Sequence, residues 1–129
     1  MKIFVEGGGN NKALLGECRK AFREFFERAG VPRGSFEMVA SGSRLDAYKD
    51  FKNALNAGAT DAVLLVDSES LVAQHRSTEQ PVGPWQHVRD RAGDGWEQPA
   101  EADDKQLHFM VSCMEGWFLA DQEALADYY

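Results

Sequence analysis

A chain of 129 residues is about one domain long and can bury one sizeable core. Its 43% hydrophobic and 27% charged residues exclude global disorder, and no apolar run reaches the roughly 18 residues that a membrane span needs. The net charge of −7 excludes the basic footprint usual in proteins that grip nucleic acid by its backbone. Either the carboxylates are concentrated where cations neutralise them, or nucleic acid is not bound.

In chain order, Lys2 to Val5 predicts a short strand that stops at Glu6, followed by the turn Gly7-Gly8-Gly9. Its apolar part is too short, and turns acidic too early, for a secretory signal, so a cytoplasmic protein without membrane association is expected. Asn10 or Asn11 can cap the next helix. There Ala13, Leu14, Cys18, Ala21, Phe22, Phe25, Phe26 and Ala29 recur at helical spacing as one apolar stripe, and Gly30 and Pro32 stop it. Phe36 to Ala40 predicts a second strand, and a second helix is expected from about Arg44 to Asn56. The run Ala62 to Val66, bounded by Asp61 and Asp67, predicts a strand covered on both faces.

Residues 68–105 are polar and rich in Gly, Pro and charge, and are expected to form a long loop insertion. Leu107 to Cys113 predicts a fourth strand and Gly116 to Tyr128 a last helix, which ends abruptly on Tyr128 and Tyr129 as a trimmed piece of something longer would. The whole, residues 1–129, is expected to be one α/β domain: a mostly parallel four-stranded sheet flanked by helices. Ligands of such sheets bind at the carboxyl ends of the strands.

Four carboxylates fall at those ends. Glu6 follows strand one, Asp67 and Glu69 follow strand three, and Glu115 follows strand four. Like charges gathered so closely require a proton or a cation between them. Hard divalent ions such as Mg²⁺ take oxygen ligands and leave room for substrate phosphates. Capping of helices and solubility of loops are the ordinary alternatives for any one of these acids. Gly7, Gly8, Gly9, Asn10 and Lys12 could approach a phosphate at the helix start. GGGNNK lacks the ending of a P-loop and the last glycine of a dinucleotide fingerprint, however, and tight turning behind Glu6 is the simpler role.

The segment Ile3-Phe4-Val5-Glu6-Gly7-Gly8-Gly9-Asn10 resembles the first Toprim motif, a strand ending in Glu-Gly before a polar position. Leu64-Leu65-Val66-Asp67-Ser68-Glu69 resembles the second, two acids spaced by one residue, with Glu69 in place of aspartate. Along its length the chain resembles a small bacterial Toprim-like family labelled domain of unknown function 4276, through VEGGGNNKAL, Cys18 to Phe22 and Met114-Glu115-Gly116-Trp117-Phe118-Leu119-Ala120-Asp121. The resemblance implies a Rossmann-like Toprim fold akin to those of OLD-type nucleases and small primases. It implies Glu6 as general acid/base or metal ligand, Asp67 and Glu69 as holders of Mg²⁺ (or Mn²⁺), and Glu115 or Asp121 as accessory. It also implies a partner ATPase in defence-type gene clusters.

Other residues carry less. Cys18 and Cys113 lie in apolar segments without metal or CxxC spacing, as buried free thiols do. His75, His87 and His108 form no cluster; His75 and His87 could meet substrate from the loop, and His108 is expected at a core edge or hydrogen-bonded. Trp85 and Trp96 beside Arg76, Arg89, Arg91 and Lys105 could stack single-stranded bases. The interspersed acids equally suit a solvated lid that orders on binding. Mg²⁺-dependent phosphodiester chemistry, as a nuclease on DNA or RNA, is the function expected; a non-catalytic module that binds a nucleotide or a partner ATPase is the alternative.

Overall fold

The computed structural model describes residues 1–7, 9, 11–69, 72 and 81–110. The elements are β1 (Lys2–Glu6), α1 (Lys12–Arg28), β2 (Glu37–Gly42), α2 (Arg44–Asn56), β3 (Val63–Val66), α3 (Pro84–Asp90), a 3₁₀ turn (Asp104–Gln106) and β4 (Leu107–Phe109). The strands form one sheet in the order β2-β1-β3-β4, and every pairing is parallel. The expected α/β, Rossmann-like architecture is therefore present.

Alternation along the strands divides the core between two faces. Ile3, Val5, Met38 and Leu65 meet Phe26 of α1 on one side. Phe4, Leu64, Val66, Leu107 and Phe109 point to the other, where Ala47, Tyr48, Phe51 and Leu55 of α2 cover them with Trp85 and Val88 of α3. Crossovers of a single hand demand this division, because the move from β1 to β2 runs one way across the sheet and the moves to β3 and β4 run the other. Helix α1 buries a narrower face than its stripe predicts. Phe26 is its buried residue, Phe22, Phe25 and Cys18 are half-buried, and Leu14 is 50% exposed.

The largest departure from the sequence reading is the stretch expected as a loop. It contains α3, entered through Pro84 with its fixed φ, and the capped 3₁₀ turn. Trp85, Val88, Trp96 and Ala102 belong to the main core. Trp96 stacks on Tyr48 at 4.5 Å between ring centroids, and Trp85 lies 5.9 Å from Phe51 while its indole N–H donates to the Asp103 carbonyl at 2.8 Å. Both indoles are thus committed to the interior and do not offer faces to bases. Residues 81–110 are no solvated lid. Strand β4 ends at Phe109, short of the expected Cys113; Cys113 and the expected last helix lie outside the described residues. His108 is exposed, its Nε2 2.7 Å from the Lys105 carbonyl. Among the described residues no helix is long and apolar enough to cross a membrane.

Phe51 is fully buried between Phe4 and Trp85 and links the sheet to both α2 and α3. Phe51→Ala is expected to destabilise the protein by about 3–5 kcal/mol, read as a lowered denaturant midpoint with unchanged slope.

Candidate metal centre

In a 2-1-3-4 sheet the chain reverses direction between β1 and β3, and a crevice opens at the carboxyl ends of those two strands. Glu6 ends β1, and Asp67 and Glu69 follow β3, so all three reach that crevice. One carboxylate oxygen from each lies within 4.8 Å of the others. Two oxygens on opposite sides of an ion held at about 2.1 Å stand about 4.2 Å apart. Small side-chain rotations would therefore let these three enclose one ion.

The backbone around them is irregular in ways that aim the side chains. Register slips between Val5 and Glu6, which face Ala40 and Gly42, so Ser41 is the extra residue of a bulge. Gly42 adopts φ +82° and exchanges both backbone hydrogen bonds with Gly7, at 2.8 and 3.0 Å. That exchange commits the Gly7 N–H to the sheet, which corrects its expected role in cradling a phosphate. A side chain at Gly7 would also meet the Cys18 sulfur at 2.9 Å. Gly9 and Lys12 are exposed, and Asn11 supplies the helix cap, accepting from the Ala13 N–H at 2.8 Å. Gly8, Asn10, His75, Arg76, Glu115 and Asp121 lie outside the described residues.

Among the described residues, one cation attends the carboxylates. Arg44, the first residue of α2, is 13% exposed. Its Nε and Nη2 donate to Asp94 at 2.8 and 2.7 Å, its Nη1 donates to the Asp67 carbonyl, and its guanidinium lies over the Trp96 ring. The same Nη1 stands 3.8 Å from Oε2 of Glu6, a buried oxygen that accepts no hydrogen bond. Asp94, its side chain 3% exposed, also accepts from Arg91 at 2.9 Å.

These contacts set the local electrostatics. Burial raises the Glu6 carboxyl above its ordinary value; Arg44 opposes the rise, and the Glu69 and Asp67 charges add to it. Burial works against the charge on Arg44, but the hydrogen bonds and charge of Asp94 more than restore it. Burial likewise opposes ionisation of Asp94, yet Arg44 and Arg91 together hold it below the usual carboxylate range. An all-oxygen donor set containing a buried carboxylate oxygen that accepts no hydrogen bond fits a hard divalent ion.

A family model, domain of unknown function DUF4276, matches residues 5–129. The chain belongs to this family. No curated protein and no solved structure matches it. In this DUF4276 domain the sequence reading brought together Glu6, Asp67 and Glu69 correctly and missed Arg44 and Asp94 as parts of their setting. A signal for Arg44 existed: a cation in the first turn opposes the helix dipole, so an arginine directly after the cap Ser43 breaks a local rule. Nothing in the spacing pointed to Asp94, fifty residues further on.

Removing Asp94 leaves a buried guanidinium without its partner. Asp94→Ala is expected to cost about 3–5 kcal/mol of stability, measured by denaturant unfolding. Because the folded-state pKa of Asp94 is depressed, its contribution is present above its unfolded value and is lost as pH falls through the folded one. Below about pH 4 the stability of the wild type should therefore fall more steeply than that of Asp94→Asn.

Proposed function

We propose that this DUF4276 domain is a divalent-metal-dependent enzyme of phosphodiester chemistry, a nuclease on DNA or RNA, built on a Toprim-like fold. The observation that carries the reading is the convergence of Glu6, Asp67 and Glu69 within 4.8 Å at the switch point of a parallel sheet. Three carboxylates held this closely repel, and a cation between them relieves the repulsion. Mg²⁺ or Mn²⁺ would be held by Asp67 and Glu69, with Glu6 as third ligand. Such an ion stabilises charge on a phosphoryl oxygen and acidifies water.

The chain's own residues divide the remaining work. Asp67 and Glu69 would hold the ion, with Glu69 exposed to solvent and Asp67 half-buried. Glu6 would otherwise, in place of ligating the ion, take the proton of the attacking water or return one to the leaving oxygen. Arg44 fixes Asp67 through its carbonyl and limits the repulsion felt by Glu6. Glu115 and Asp121 would complete the ligand set or orient it.

The second reading, a non-catalytic module that binds a nucleotide or a partner ATPase through the same edge, is favoured by the net charge of −7. A scarcity of cations suits a domain that meets nucleic acid only beside a partner.

Labelled single- and double-stranded DNA and RNA, incubated with Mg²⁺ or Mn²⁺, separate the two. Metal-dependent cleavage is expected, with Glu6→Gln and Asp67→Asn each about 10²–10⁴-fold slower. The same variants supply a metal-free readout. A raised folded-state pKa means that Glu6 costs stability as pH rises through that value, so Glu6→Gln should unfold at a higher temperature than the wild type at pH 7 without metal. No cleavage with either metal, together with a divalent-induced rise in melting temperature, would leave the binding module. No cleavage and no thermal response would sink the metal centre altogether.

A further inference from the structure

Glu69 is the one described non-glycine residue with positive φ, at +63°. A glutamate gains nothing intrinsic there, because the left-handed region crowds its Cβ against the backbone. The Glu69 N–H reaches Asp67 Oδ1 only at a long 3.4 Å, and further contacts hold the turn. Two consecutive carbonyls just before Glu69 are gripped, one by Arg44 of α2 and one by His87 of the connection between β3 and β4. Asp94 aims Arg44, which donates to the Asp67 carbonyl. His87 of α3 places its Nε2 2.9 Å from the Ser68 carbonyl.

His87 is suited to that task. It is buried, 7% exposed, and its ring stands edge-on to Phe109 at 5.0 Å. Trp85 and Val88 anchor the same short helix in the core. A carbonyl oxygen only accepts, so Nε2 must carry a proton in this contact. The Ser68 carbonyl belongs to the same rigid peptide plane as the Glu69 N–H. Pinning its oxygen therefore fixes the rotation of that plane, and with it the direction in which the Glu69 side chain leaves the backbone.

We propose that His87 is a positioning residue for the acidic centre: through its Nε2–H and the Ser68 carbonyl it holds the Asp67–Glu69 turn in the shape that brings Glu69 to Glu6 and Asp67. The assignment deepens the metal-centre reading and rests on it. It gives the β3–β4 connection the role of a buttress. Supports of this kind, one bond behind a ligand, are worth about 10–100-fold in metal affinity.

The test is a Mn²⁺ titration followed by electron paramagnetic resonance, on wild type, His87→Phe, His87→Gln, Glu69→Gln and the double variant His87→Phe/Glu69→Gln. Thermal unfolding establishes that each is folded. His87→Phe should weaken Mn²⁺ binding about tenfold or more. His87→Gln, whose amide N–H reaches about as far as Nε2, should recover most of it and keeps the test open where phenyl cannot replace the ring. Since His87 acts through Glu69, the double variant should bind no worse than Glu69→Gln alone, whereas a general loosening of the fold would add its own loss.

Nitrogen NMR of the metal-free wild type should find His87 with a protonated Nε2. Wild-type affinity in His87→Phe, additive losses in the double variant, or an unprotonated Nε2 would each overturn the assignment. Absence of Mn²⁺ binding by the wild type would overturn the metal reading instead. In that case the ring-nitrogen spectrum, together with a shift of the Glu69 amide signal in His87→Gln, still decides whether His87 holds the turn; an unmoved Glu69 signal counts against it.

Discussion

Three carboxylates confined within 4.8 Å impose a repulsion that the rest of the molecule is arranged to withstand. The parallel sheet delivers Glu6 and Asp67 to one edge because β1 and β3 are neighbours in register, Phe4 beside Leu64 and Val5 beside Leu65. Nothing in that pairing lowers the electrostatic cost. The relief comes from Arg44, whose guanidinium is itself almost buried and would be unstable there without a partner. Asp94 supplies the partner through a two-pronged contact, the geometry in which arginine and carboxylate bind most strongly. The acidic centre thus depends on a residue from the β3–β4 connection, and the connection must fold for the centre to keep its shape.

This dependence explains why the connection is built as core. A segment that only closed over substrate would keep its aromatic residues free. Here Trp96 lies under Arg44 and stacks on Tyr48, while Trp85 fills the space beside Phe51. The stacked ring confines the guanidinium from one side, and Asp94 confines it from the rim. Packing, hydrogen bonding and charge therefore act on the same side chain, and a change in any of them reaches Glu6 and Asp67.

The sheet and its two long helices were legible because their signals are periodic and local. Ile3, Phe4 and Val5 and the run Val63 to Val66 alternate between two covered faces, and Asn11 and Ser43 cap helices where capping residues are expected. The acidic trio was legible for a topological reason: in a parallel sheet the residue after each strand arrives at the same edge. The buried part of the connection was not. Its apolar residues Trp85, Val88, Trp96 and Ala102 are separated by polar ones at no regular period, so hydrophobic patterning is silent there. The length of α1's buried face was overread for the opposite reason. A clean stripe states which side of a helix is apolar, and only the packing partner decides how much of it is covered.

Charge within the centre also bears on how an acidic chain could meet a polyanion. Among the described residues, the four carboxylates of Glu6, Asp67, Glu69 and Asp94 face the two guanidiniums of Arg44 and Arg91. When all are ionised the cluster is left two charges negative, a deficit that one divalent ion cancels and two would reverse. A phosphate drawn to that ion would meet a locally neutral crevice in a chain of net charge −7, so attraction would be confined to the point of chemistry rather than spread along a basic groove.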